Sequence, residues 1–126
     1  MLKPYYKEYD ININADGATV KKTFEVDKSV KTVRGVMLLS NRPDLVFYRG
    51  SLRLEINKEE IFPEGFSASR LLSSPNVKPN DRIYTIGEHT AGNGLIKVDY
   101  TDTADGRTVF GTYTVTLCIE GEREED

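Results

Sequence analysis

Few groups in this chain have the types and spacing that chemistry requires. His89 is the only histidine and stands beside Glu88 in residues 87–94 (GEHTAGNG), a run with three glycines. An imidazole acts as a general base, or as partner to a nucleophile, only when a hydroxyl, thiol or carboxylate is positioned against it. Cys118 is the only cysteine, it lies within an alternating strand pattern, and the chain has no nucleophile-elbow motif. Asp99, Asp102 and Asp105 fall within seven residues. Three carboxylates so close could share a calcium ion, but their spacing does not match the alternating acids, central Gly and terminal Glu of an EF-hand loop. Aspartates also gather at Asp-Gly turns for ordinary backbone reasons. Glu59 and Glu60 are adjacent, and adjacent residues of a strand point to opposite faces, so they do not form an acid pair across a cleft. These groups predict no enzymatic activity, no cofactor and no metal requirement.

The remaining polar groups suggest surfaces rather than reactions. Lys21, Lys22, Lys28, Lys31 and Arg34 form the densest basic stretch, interrupted by Glu25 and Asp27. A solvated strand face accounts for it, with a docking patch for an acidic partner as the alternative. Of 17 basic and 20 acidic residues, five acids and one arginine fall in the last seven positions, so the remainder is close to neutral. That balance argues against a nucleic-acid grip, which requires a clustered basic face. Seven tyrosines and no tryptophan weigh against a sugar platform; Tyr84 and Tyr100, beside the Asp102 turn, are the residues such a site would use.

The elements that must position these groups are strands. Tyr5, Tyr9, Ile11 and Ile13 alternate, then Val20, Phe24 and Val26, with Asp16-Gly17 between them as a hairpin signal. Residues 30–40 read as a longer strand with apolar side chains on both faces. Arg42-Pro43-Asp44 breaks it, and residues 45–48 read as a short strand. Leu52, Leu54 and Ile56 alternate with Arg53, Glu55 and Asn57. Residues 59–66 (EEIFPEGF) read as irregular, with Pro63 and Gly65 as breakers. Residues 67–73 suggest one or two helical turns, and residues 74–80 a loop. Residues 82–86 and 95–100 read as strands, the glycine-rich run between them as a flexible turn, and Asp105-Gly106 as a second hairpin signal. Along the last strand, Val109, Gly111, Tyr113, Val115, Leu117 and Ile119 share one face, and Thr108, Phe110, Thr112, Thr114, Thr116 and Cys118 the other.

About eight strands with turn signals every 8–12 residues predict an all-β, two-sheet sandwich, either jelly-roll or immunoglobulin-like. The expected organisation is one β-sandwich domain over residues 1–119 and an acidic flexible tail over 120–126. A lone cysteine fits a reducing compartment, and no apolar run reaches the roughly 20 residues of a membrane-spanning helix. Ile61, Phe62, Phe66, Leu71 and Leu72 are too apolar to leave in water; they plug an end of the sandwich or meet another chain.

Five segments together, VRGVMLLS at 33–40, GSLRLEIN at 50–57, EIFPEGF at 60–66, VKPN at 77–80 and DYTD at 99–102, resemble small β-sandwich virion proteins of tailed, crAss-like phages of Bacteroidetes. The likeness covers residues 20–120. It implies an auxiliary capsid or decoration protein, made in the host bacterial cytoplasm and located in the virion, with no catalytic residues to carry over. Its partners would be other virion proteins, the capsid protein foremost, and homo-oligomer or lattice neighbours, with neither nucleic acid nor membrane. Ile61, Phe62, Pro63 and Phe66, with Tyr5 and Tyr6 on the first strand, are the expected protein contacts. The alternative is a ligand-binding β module for carbohydrate or peptide.

Overall fold

The computed structural model describes residues 2–72, 84–92, 94–104, 106 and 108–124, apart from the side chain of Glu88. In chain order the elements are β1 (Leu2–Ile13), β2 (Thr19–Glu25), β3 (Val30–Ser40), the helix α1 (Pro43–Arg49), β4 (Gly50–Ile56), β5 (Glu59–Ser67), a 3-10 turn (Ala68–Arg70), β6 (Tyr84–Thr90), β7 (Leu95–Asp102) and β8 (Tyr113–Glu124). They form two four-stranded antiparallel sheets, ordered β1-β8-β3-β6 and β2-β7-β4-β5. The fold is the expected all-β sandwich.

The strand order also settles the topology. β1 pairs with β8, β2 with β7, β3 with β6 and β4 with β5, all antiparallel. The chain is therefore one long hairpin, its first four strands laid against its last four in reverse. Rolling that hairpin brings β3 against β8 and β4 against β7, which completes the sheets. This is a jelly roll, not an immunoglobulin sandwich.

The period-two alternation becomes the core. Ile11 and Ile13 of β1, Val33, Val36 and Leu38 of β3, Leu52, Leu54 and Ile56 of β4, Ile96, Val98 and Tyr100 of β7, and Tyr113, Val115, Leu117 and Ile119 of β8 are all buried between the sheets. A row of charged residues crosses the outer face of the second sheet. Lys21 lies opposite Asp99 and Asp99 opposite Arg53; Arg53 in turn pairs with Glu60 at 3.2 Å.

Several expectations are corrected. Asp16-Gly17 turns the chain, with Gly17 at φ 74, but β1 and β2 lie in different sheets. Gly106 does the same between β7 and β8; Asp105 lies outside the described residues. Among the described residues the tight hairpin is β4–β5, which turns at Asn57 and Lys58, both at positive φ (50° and 65°). Two positive φ values are the type I′ signature, usually written with glycine. Lys58→Gly removes the left-handed strain on an exposed residue and is expected to raise stability by about 0.5–1 kcal/mol, read from a urea melt.

Residues 45–48 form part of α1 rather than a strand. Their β-prone side chains are overridden by Pro43 in the first turn, Asp44 near the helix start, Arg49 in the last turn and the burial of Leu45 and Val46. The EEIFPEGF segment is the edge strand β5. Pro63 and Gly65 (φ 88) are absorbed where the register slips between Leu52 and Leu54, so they act as a bulge and not as breakers. The expected helical region at 67–73 is one 3-10 turn. The whole 74–80 loop and the start of the 82–86 strand lie outside the described residues. Gly87 (φ 80) is a bulge inside β6, which runs through His89. Residues 108–112 precede β8, and Val109 is 87% exposed. The part of the expected acidic tail that is described is not free: Glu120–Glu124 continues β8, with partners on both β1 and β3, and residues 125–126 lie outside the described residues. No helix among the described residues is long and apolar enough to cross a membrane.

Candidate functional site

The most constrained polar cluster lies at the end of the sandwich where β1 finishes and β8 begins. Arg49, the last residue of α1, is 4% exposed, and Asp102, the last of β7, is 1% exposed. The guanidinium grips the carboxylate with two bonds, Nε to Oδ1 at 3.0 Å and Nη2 to Oδ2 at 2.8 Å. Nη2 also donates to Asp16, Nη1 donates to the Thr108 carbonyl at 3.3 Å, and the guanidinium carbon sits 5.5 Å from the centre of the Phe110 ring. Asp102 further accepts the Gly17 N–H at 3.0 Å and the Tyr113 hydroxyl at 2.8 Å. The Tyr113 and Tyr100 hydroxyls are 3.2 Å apart.

These contacts decide what the cluster can do. Burial pushes the Asp102 carboxyl upward, but bonds from Arg49, Gly17 and Tyr113 outweigh it and hold the group below the usual carboxylate range. Hydrogen bonding to Asp102 raises the Arg49 pKa, against a smaller opposing effect of burial. Burial lifts the Tyr100 phenol to about 12. A carboxylate already receiving four hydrogen bonds has no position for a metal and cannot take a proton as a general base near neutral pH. The cluster is a lock. It ties the β1–β2 turn, the end of α1, the end of β7 and the segment entering β8 to one another.

The lock sits beneath an exposed apolar surface. Leu45, Val46 and Arg49 point inward from α1, which leaves Phe47 and Tyr48 facing out at 57% and 50% exposure. Their rings meet edge to face, with centroids 4.9 Å apart. Val109 follows Thr108, whose carbonyl Arg49 holds. Exposed large side chains on a backbone fixed by a buried ion-pair network make a pre-organised contact surface. The sequence predicts Phe47 and Tyr48 within a short strand, and Val109 on one face of the last strand, none of them as a contact residue. The signal for Phe47 and Tyr48 was the Pro43–Arg49 helix, whose inward face takes the other apolar residues.

The predicted residues are dispersed. His89 bridges the two sheets at their far edge, with Nδ1 3.2 Å from Glu59 Oε2 and Nε2 2.6 Å from the Ile86 carbonyl oxygen. Glu59 and Glu60 diverge, one toward His89 and the other toward Arg53. Asp99 lies on the outer face of the second sheet, away from the buried Asp102. Among the described residues no three His, Cys, Asp or Glu side chains are placed to hold a metal ion. Arg34 of the basic stretch pairs with Glu120 and Glu122 at 3.2 and 3.3 Å. The Cys118 thiol donates to Glu8 at 3.7 Å on the outer face of the first sheet, and burial with the nearby Glu8 pushes its pKa up to about 12, too high for a nucleophile.

Of the expected contact residues, Phe62 is corrected: it is buried within its own chain, stacked on Phe66 at 4.1 Å. Its apolar ring closes the lateral edge of the sandwich, so it has no surface to offer a partner. Phe66 is stacked on Phe62 and has the Arg70 guanidinium carbon 5.3 Å from its ring centre. Ile61 and Tyr5 are half-buried, whereas Pro63 and Tyr6 are exposed. Tyr100 is fully buried and Tyr84 packs edge-on against Phe62, so the two tyrosines named for a sugar site do not form one. No protein-family model, curated protein or solved structure matches this chain.

Proposed function

We propose that this chain is a non-enzymatic structural component of a phage particle, such as an auxiliary capsid or decoration protein, acting through protein–protein contacts. The observation that carries the reading is the lock beneath α1. Five polar side chains and two backbone groups are committed to holding loop segments still, and the large aromatic side chains that α1 leaves facing out from that rigid end are Phe47 and Tyr48. Jelly rolls serve as capsid, lectin and cupin domains alike, so the choice among them rests on the site, and the site offers a surface. Capsid protein is the partner this reading names, and the virion its location.

Co-expressed with the major capsid protein of the particle it is proposed to join, the chain is expected to co-sediment with assembled shells. Phe47→Asp combined with Tyr48→Asp is expected to lower the bound fraction at least tenfold, the loss typical of a truncated aromatic anchor. Both residues are half-exposed, so the melting temperature should stay close to wild type. A chain that remains in the supernatant, or a double variant that binds as wild type does, would overturn the reading.

A further inference from the structure

We propose that two copies of this chain pair through β1, joining their first sheets into one eight-stranded sheet with Tyr6 on the two-fold axis. This rests on the reading of the chain as a contact protein and names one of its partners. The argument begins with the four edge strands, which are protected unequally. β5 carries Pro63 and two register slips, β6 carries the bulge at Gly87, and β2 is short with exposed Lys21 and Lys22 side by side. These are the devices by which proteins blunt a sheet edge. β1 is 12 residues long and keeps one unbroken register with β8 from Leu2 to Ile13. Lys3, Pro4 and Lys7 are devices of the same kind, but β1 is the longest of the four edges and pairs without a slip.

Pro4 shows which backbone groups that edge presents. Proline has no N–H to give, yet Pro4 sits within the unbroken ladder opposite Glu122. Its nitrogen therefore faces away from β8, as proline in an edge strand does. Alternation then turns the N–H and C=O groups of Leu2, Tyr6, Glu8 and Asp10 outward, available to another strand, while Pro4 presents its carbonyl alone.

Self-pairing must also place acceptable side chains opposite one another. Two copies related by a two-fold axis normal to the sheet oppose residues of the same parity. Centring on Lys7, Glu8 or Asp10 sets like charges face to face on the axis. Centring on Tyr5 opposes Lys7 to Lys3, and centring on Tyr9 opposes Glu8 to Asp10. Centring on Tyr6 opposes Tyr6 to itself, Lys7 to Tyr5, Glu8 to Pro4, Tyr9 to Lys3 and Asp10 to Leu2, with no like-charge pair. Directly opposed like charges destabilise a sheet, whereas stacked aromatics favour it. Tyr6 is 66% exposed and Leu2 52%, so the pairing covers large side chains that a single copy leaves in water.

The test uses the whole chain in a Cys118→Ser background. Light scattering is expected to give about twice the monomer mass of 14.2 kDa. Tyr6→Cys places two sulfur atoms across the axis, where opposed Cα atoms stand about 5.5 Å apart, close enough for a disulfide or a short thiol cross-linker. Glu8→Cys places its pair about 14 Å apart and should stay unlinked. Near-complete covalent dimer from Tyr6→Cys with little from Glu8→Cys is the expected result. A monomer at every concentration, or cross-linking through position 8 in preference to 6, would overturn the pairing. If the pairing fails while Phe47→Asp/Tyr48→Asp still abolishes shell binding, the dimer alone is lost; if cross-linking succeeds and the wild-type chain ignores shells, the function falls and the dimer stands.

Discussion

Arg49→Met is expected to destabilise the fold by about 3–5 kcal/mol, the range for removing one partner of a buried ion pair. For a domain of this length that is a fall of roughly 10–20 °C in melting temperature. Methionine fills much of the same space, so the loss comes from charge and not from a cavity. Asp102 remains buried with its two strongest donors gone, and Asp16 and the Thr108 carbonyl lose theirs. A second substitution isolates the cause. Asp102→Asn on the Arg49→Met background removes the stranded charge and should recover a substantial part of the loss, so the two changes are strongly non-additive.

The pH dependence has a definite sign. In the wild type the Asp102 carboxyl is held low in the folded chain, so its contribution is complete above the unfolded carboxylate pKa of about 4. That contribution is lost as pH falls through the lower, folded value. In Arg49→Met the same burial acts unopposed by the guanidinium and raises the carboxyl, which makes the variant's deficit largest at neutral pH. The gap between variant and wild type should therefore narrow as pH is lowered from 7 toward 4. Parallel stability curves for the two proteins over that range would remove the stranded carboxylate as the cause.

Gly121→Ala is expected to cost about 3 kcal/mol, near the upper end for forcing extra volume into a packed interior. Gly121 pairs with Tyr5 of β1 on one side and Val33 of β3 on the other. A Cβ there would lie 2.1 Å from the Thr32 carbonyl oxygen and 3.2 Å from the Val33 Cα. Both obstacles are backbone, so no side-chain rotation relieves them and β3 must move at its bulge. The measurement is a denaturant melt, with Thr112→Ala, an exposed site just before β8, as a control near zero. A melt within about 0.5 kcal/mol of wild type would show that residues 120–124 are not held between β1 and β3.

The acidic end shows why sequence reading stopped short. Glu120, Glu122 and Glu124 are charged, and a run of charges at a chain end reads as solvated. In the fold they are the outward half of an alternating strand, with Ile119 buried just before them, Gly121 buried between the first two, and Arg34 neutralising two of the three. Gly121 has no side chain to announce the inward position, so the alternation fades where it still operates. The same limit applies to the lock. Arg49 and Asp102 are 53 residues apart, and nothing local to either marks it as buried. Asp102 looked like turn chemistry because the turn is real and Asp105-Gly106 follows it closely.

Period-two patterning is a local property, since each side chain's face depends only on its neighbours along the strand; residue types alone therefore specified strands, their inward faces and a sandwich of about eight of them. Which strand lies beside which is a choice among distant segments, and many pairings satisfy the same alternation. Only the packed chain chose a rolled hairpin over an immunoglobulin order, turned two apparent hairpins into crossings between sheets, made a helix of β-prone residues by burying Leu45 and Val46, and brought Arg49 to Asp102. Those outcomes depend on what contacts what across the core, and that is decided by the folded whole.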